Sequence, residues 1–147
     1  MFETAGVSRA WIFPRANGPG TVTLRFMMDD VYPNGIPQPN DVAAVNAFVQ
    51  IARPVTAEVT TVAPVASPLV FSIRLIPDAA AIRLAVEAEL RDLIVRETSP
   101  GGTLPISHIR EAISISAGES DHTLIAPAAN VTTTSAYITT FGSIVWS

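Results

Sequence analysis

Residues 18–37 read GPGTVTLRFMMDDVYPNGIP, and in them a well-bounded strand runs into a loop too elaborate to be a plain connection. From Thr21 to Met28 the chain alternates: Val22, Leu24, Phe26 and Met28 share one face, Thr21, Thr23, Arg25 and Met27 the other. A period of two marks a half-buried strand, because successive side chains point to opposite sides. Gly18, Pro19 and Gly20 punctuate its start, and Asp29-Asp30 put charge where the apolar run would otherwise continue. The loop that follows, through Asn40, holds Pro33, Pro37, Pro39 and an Asn34-Gly35 pair, so it is turn-rich rather than helical or a hairpin. Long loops of this kind often carry function.

Residues 1–8 show no periodicity and read as a linker or cut end. The aromatic run Arg9 to Phe13, stopped by Pro14, is expected to pair with Thr21–Met28 across the Arg15–Gly20 turn. Downstream, Pro39-Asn40-Asp41 is expected to open a helix with an Asn or Asp cap; Val42, Val45, Phe48 and Val49 recur at helical spacing, and Arg53-Pro54 ends it. Val55 to Ala63 is rich in β-branched residues and reads as a strand. Leu69, Phe71, Ile73 and Leu75 form a second sharply alternating strand. A helix from Pro77-Asp78 to about Glu97 follows from Ile82, Val86, Leu90 and Leu93, and a third spans Pro105 to Ala117. His122–Ala126 and Tyr137–Trp146 read as closing strands, separated by the Pro127–Thr134 loop. The order is a repeated split βαβ pattern. It predicts an α+β fold, a ferredoxin-like sandwich with helices on one face of the sheet, with residues 9–147 as a single domain.

At 147 residues the chain is near the common size of one domain. Its net charge of −4, with only nine scattered Lys and Arg, presents a nucleic-acid backbone with the wrong sign, so no nucleic-acid partner is expected. Charged residues make up 15% against about 25% in ordinary soluble domains, so Ala, Thr, Ser and Val must cover part of the surface, a composition suited to contact with other proteins. No apolar run approaches the roughly 18 residues that cross a bilayer, and no signal-peptide layout opens the chain, so no membrane partner is expected. Cysteine is absent, which removes disulfides, thiolate metal sites and thiol nucleophiles.

The residues give no catalytic constellation. Ser107 or Ser120 beside His108 or His122 lack the spaced nucleophile, base and orienter, and no Gly-x-Ser-x-Gly elbow is present. Glu119, Asp121 and His122 could face a divalent ion, but a site needs three or four supported ligands, and a solvated turn accounts for them better. Asp29 and Asp30, adjacent on an extended chain, point apart. Gly18-Pro19-Gly20 and Gly101-Gly102 lack the Lys-Ser/Thr of a phosphate loop. No enzyme activity, cofactor, metal or small-molecule substrate is therefore expected. Trp11, Tyr32 and Trp146 are the aromatics best suited to anchor a partner.

Six phrases in order, GVSRAW from Gly6, GPGTVTLRF from Gly18, RPVTAEV from Arg53, PGGT from Pro100, SHIREAI from Ser107 and GSIVW from Gly142, resemble the C-terminal part of the baseplate J-like family. The resemblance implies a structural protein of contractile phage tails, Mu-like or P2-like, or of a prophage. It implies a baseplate wedge component that touches copies of itself and other wedge proteins in the virion tail baseplate, after assembly in the bacterial host cytoplasm. Family members are longer, so Met1 is expected to be a cut end, and the family brings no catalytic motif to carry over. On this reading the Asp29–Pro39 loop is an expected contact, since proline lowers the entropy lost on docking. The candidate interface residues are Trp11, Asp29, Asp30, Tyr32, Asn34, Ile36 and Trp146. The alternative is a small ferredoxin-like ligand-binding or regulatory module.

Overall fold

Each of the two sharply alternating strands sits at the centre of its own sheet, and this decides the architecture. A computed structural model of the chain describes residues 6–15, 18–53 and 56–147. It contains two compact units, residues up to Val65 and residues from Ala66 onward.

The first unit is built from β1 (Arg9–Pro14), β2 (Thr21–Met27), α1 (Pro39–Ala52) and β3 (Glu58–Val62). Its sheet has the order β1-β2-β3. β1 lies antiparallel to β2 in the register Trp11↔Arg25, as expected for a hairpin. β3 lies parallel to β2, with Val22 beside Val59. A parallel pair needs a crossover of a dozen or more residues, and the loop with α1 supplies it. α1 closes one sheet face, burying Val45 and Val49 against Leu24, Phe26 and Met28.

Three local expectations shift here. The helix is capped at Gln38 rather than Asn40, with Pro39 at the first position, where its missing N–H costs nothing. The Asp41 carboxylate accepts the Gln38 backbone N–H at 2.9 Å, so the acidic residue works from inside the first turn. The third strand covers only Glu58–Val62; Pro54 and Val55, where the helix stop and strand start were expected, lie outside the described residues, as do residues 1–5 of the expected linker. Finally, β2 is buried on both faces, Thr23 and Met27 included. A strand with neighbours on both edges has an aromatic flank on its second face too: Trp11 and Phe13 stand there.

The second unit contains β4 (Val65–Ile76), α2 (Ala80–Glu97), β5 (Thr103–Leu104), α3 (Ile106–Ser114), β6 (Asp121–Ala126), β7 (Val131–Thr132) and β8 (Tyr137–Trp146). Its main sheet has the order β6-β4-β8. Phe71, Ile73 and Leu75 of β4 meet Ile82, Val86, Leu90, Leu93 and Ile94 of α2 and Ile109 and Ile113 of α3 in one core. Each such fully buried side chain contributes about 1.5–3 kcal/mol before conformational entropy is charged. β8 approaches β4 closely at Gly142, where a Cβ would lie 2.7 Å from the Leu69 carbonyl oxygen. Two short strands, β5 and β7, pair Leu104 with Val131 and so tie together stretches expected to be plain loops. α3 starts at Ile106, whose N–H is received by the Asn130 side chain at 3.0 Å. α2 starts at Ala80 without a side-chain cap, because Asp78 is engaged by Arg83 instead.

The α+β class is as the sequence indicates. Among the described residues, however, the strands lie in three sheets and not in one ferredoxin-like sheet. The reason is saturation: β2 already has β1 and β3 on its two edges, and β4 has β6 and β8. Neither central strand has an edge left for the other, and the described residues form two core clusters, one in each unit.

Candidate interaction surface

The Asp29–Pro39 loop is held from both ends. Asp29 accepts two hydrogen bonds from Arg9, through Nε and Nη2, each at 2.8 Å, and a third from the Ser8 hydroxyl at 2.5 Å. Burial alone would raise the Asp29 pKa, but the bonds from Arg9 and Ser8 outweigh it and hold the carboxyl below its ordinary range. At the far end the Tyr32 hydroxyl donates to Asp41 at 2.5 Å, which raises the phenol pKa by stabilising its protonated form. Between them, Gly35 returns its carbonyl to the Met28 N–H at 2.7 Å. The loop is thus a strap laid on the unit.

Gly35 is indispensable to the strap. Its φ is +75°, and a Cβ would lie 2.6 Å from Asp29 Oδ1 and 2.9 Å from Met27 Cε. Gly35→Ala should therefore lower stability by about 2 kcal/mol, from left-handed backbone strain plus displacement of Asp29. Urea unfolding of the two proteins checks this, and coincident midpoints would refute it.

The residues singled out from the sequence fall into two groups. Asp29 and Tyr32 are spent on the strap, and Ile36 is half-buried within it. Asp30 and Asn34 are exposed, joined by Val31, which is half exposed, and Pro33. Trp11 and Trp146 are each partly covered by a guanidinium of their own chain: Arg9 stands 5.3 Å from the Trp11 ring centroid and Arg83 5.3 Å from that of Trp146. Arg25 over Phe13 at 4.9 Å and Arg91 over Phe141 at 4.1 Å repeat the device. Sequence reading missed this pattern. Its trace was the spacing Arg9, Trp11, Phe13 with Arg25 opposite Trp11, which puts rings and guanidinium groups on one sheet face.

Two features were not foreseen. Between β1 and α1 lies a groove of about 360 Å³, lined by Ile12, Leu24, Val49, Ala52 and Val59, with Arg53 the one charged side chain on its wall among the described residues. Beyond its rim α1 leaves Phe48 and Ile51 exposed, the latter at 88%. In the second unit the outer sheet face leaves Val70, Ile76, Ile125 and Val145 each a little over half exposed.

The chemical candidates do not assemble. His108 Nδ1 meets Glu97 at 2.6 Å and His122 Nδ1 meets Glu119 at 3.1 Å, but neither Ser107 nor Ser120 is bonded to a ring among the described residues. Asp121 turns its carboxylate to the His122 backbone N–H, and the described residues contain no group of three or more metal-binding side chains. Among the described residues the groove lacks the few convergent polar groups that orient a metabolite. Among the described residues no helix is long and apolar enough to cross a membrane.

Comparison with known proteins adds the following. The baseplate J-like central domain matches residues 2–63, and the baseplate J-like protein C-terminal domain matches residues 69–147. The chain is 35% identical over 146 residues to the JayE protein of Escherichia coli strain K12, covering 99% of this chain and 55% of the relative. It is 34% identical over 154 residues to the Mu-like prophage FluMu protein gp47 of Haemophilus influenzae, with coverage of 98% and 43%. To the baseplate protein gp47 of Escherichia phage Mu it is 31% identical over 154 residues, with coverage of 98% and 42%. The chain thus spans about half the length of the relatives it matches.

Proposed function

The chain belongs to the baseplate J-like family, and from that premise we propose that it is a structural component of a contractile phage or prophage tail baseplate. The observation that carries this reading is the order of the two matches: the central domain falls on the first unit and the C-terminal domain on the second, end to end along the chain. A relative named as a baseplate protein of phage Mu supports it.

In this role the units take part in wedge assembly through protein–protein contacts, with other baseplate proteins and with copies of the chain itself. Assembly takes place in the host cytoplasm, and the finished position is the tail baseplate. Rigid units joined by separable contacts suit a structure that must hold one geometry and then rearrange. The exposed residues of the strap, Asp30, Val31, Pro33 and Asn34, are one proposed contact, with Asp29, Tyr32 and Ile36 shaping it. Trp11 and Trp146 contribute ring edges beside their arginines. The outer face of the second sheet is another, since half-exposed apolar residues gathered on one face mark sites of association. The alternative of a ligand-binding module finds no polar anchor set in the groove among the described residues, and no catalytic role is proposed.

Replacing Ile76 and Ile125 together by Glu should change the stability of the isolated chain by no more than about 1 kcal/mol, since each side chain is already about half exposed and lies outside the core cluster. In the full-length protein the same pair should abolish infectious particles. Complementation of a deleted gene measures it, and normal titres would remove this face from the proposal. The role itself is tested by immunoelectron microscopy of particles induced from the source strain, with an antibody against this chain. Label at the base of contractile tails is expected; intact, accessible baseplates without label would overturn it.

A further inference from the structure

The first unit's sheet ends in a strand whose outer edge is uncovered among the described residues. Among the described residues β1 pairs with β2 alone. Arg15 donates its N–H to the Thr21 carbonyl at 2.8 Å, and the register runs on through Phe13↔Thr23, Trp11↔Arg25 and Arg9↔Met27. Bonding positions alternate along an antiparallel ladder, so Arg9, Trp11 and Phe13 use their main-chain groups on β2. Ala10 and Ile12 turn theirs outward, and Pro14 offers only a carbonyl. All three residues are exposed, Ile12 at 60%. They lie opposite Phe26, Leu24 and Val22, on the sheet face that α1 packs against, and Ile12 forms the near wall of the apolar groove. A row of free main-chain groups therefore runs alongside a cleft built for apolar side chains.

We propose that the free edge of β1 and this groove together receive an extended polypeptide segment of a partner protein, which adds as a fourth strand, seats alternate apolar side chains over Ile12, Val49 and Ala52, and carries a carboxylate at the end beside Arg15. Strand addition draws its affinity from main-chain hydrogen bonds and its specificity from pockets for every second side chain, and both are present here. A docked helix would leave Ala10 and Ile12 unpaired, because its own backbone groups bond internally. Charge selects the occupant. Arg15, exposed, follows the strand's end, and Arg53 lines the groove, while Glu58 at the same end stands on β3, across β2 from the free edge, so the charge beside the edge itself is the cationic Arg15. A second copy of β1 pairing antiparallel would bring Arg15 toward its twin's Arg9, whose charge is already balanced by Asp29, so the twin offers Arg15 no available counter-charge. An acidic-ended segment gains a charge pair with Arg15 that a twin does not supply. Pro14 limits the site to a short segment, since no donor exists there to continue the ladder. The inference stands on the first unit's geometry and does not depend on the baseplate reading.

Selection from a phage-displayed library of linear octapeptides against the full chain tests it. Enriched peptides should alternate apolar residues and carry Asp or Glu at one end, and a synthetic copy of an enriched peptide should protect the Ala10 and Ile12 amides from hydrogen exchange. Ala10→Pro removes one outward N–H at a position where an edge strand tolerates proline, and should weaken that peptide roughly tenfold. Arg15→Glu should weaken it several-fold and favour a version ending in Lys. If Ala10→Pro does not fold, the charge reversal decides, because that side chain lies outside the ladder. The proposal fails if nothing is enriched, if enriched peptides show no alternation or protect other amides, or if affinity survives both changes. Protection of Ala10 and Ile12 in a concentration-dependent dimer without peptide would also overturn it, in favour of a second copy.

Discussion

Phe71→Ala should lower the unfolding free energy of the second unit by about 3–5 kcal/mol, the usual range for deleting a buried ring. Phe71 is fully buried at the middle of β4, in the cluster that joins β4 to α2 and α3. Its ring lies 5.9 Å from that of Phe141, which in turn carries the Arg91 guanidinium at 4.1 Å. Removing Phe71 leaves a cavity that neither the sheet nor the two helices can close without breaking other contacts. The adjacent residue supplies the control: Val70, on the opposite face, is 51% exposed, and Val70→Ala should change stability by about 0.5 kcal/mol or less. Denaturant titrations of the two variants read the difference. Equal losses would mean that the faces of β4 are wrongly assigned.

The second large effect belongs to the strap. Asp29→Asn keeps the size of the side chain but leaves Arg9 facing a neutral amide at a site where both side chains are largely enclosed, 18% and 11% exposed. The expected loss is about 2–3 kcal/mol, the scale of a hydrogen-bonded charge pair broken from one side. The pair also predicts a pH dependence. The folded-state pKa of Asp29 is depressed, because the Arg9 and Ser8 bonds overcome the opposing effect of burial. Its contribution is therefore fully present above the unfolded value of about 3.9 and disappears as pH falls through the folded value. Stability of the natural chain and of Asp29→Asn should differ most near neutrality and converge in acid. Parallel curves from pH 7 downward would show that Asp29 does not titrate in this way. Asp78, also held by Arg83 but well exposed, should give a much weaker version of the effect.

The strands and helices were legible because each rests on a local period. Val22, Leu24 and Phe26, then Phe71, Ile73 and Leu75, point to one side by twos; Ile82, Val86, Leu90 and Leu93 do so at helical spacing, and all but Val22 are buried as that spacing requires. Helix starts were less legible. Asp41 and Asp78 stand where the sequence is expected to open helices, yet one works from inside the first turn and the other binds Arg83, since a short carboxylate near a helix start has several donors within reach. Of the candidate site, Trp11 and Trp146 were visible as aromatics, but the arginines over their rings were not, because only the strand register and the packing of α2 on β8 bring them together.

The sequence by itself determined the α+β class, the hairpin of the first two strands, the lack of thiol chemistry and the family resemblance, all of which depend on neighbours in the chain or on residues simply present or absent. Only the tertiary structure decided that there are two cores, that the long loop is a strap closed by Arg9–Asp29 and Tyr32–Asp41, and that β1 keeps a free edge beside an apolar groove. Those facts depend on which strand edges are occupied. A strand's pattern states which face it buries, but the partners on its two edges are chosen by backbone hydrogen bonding, which every sequence offers alike.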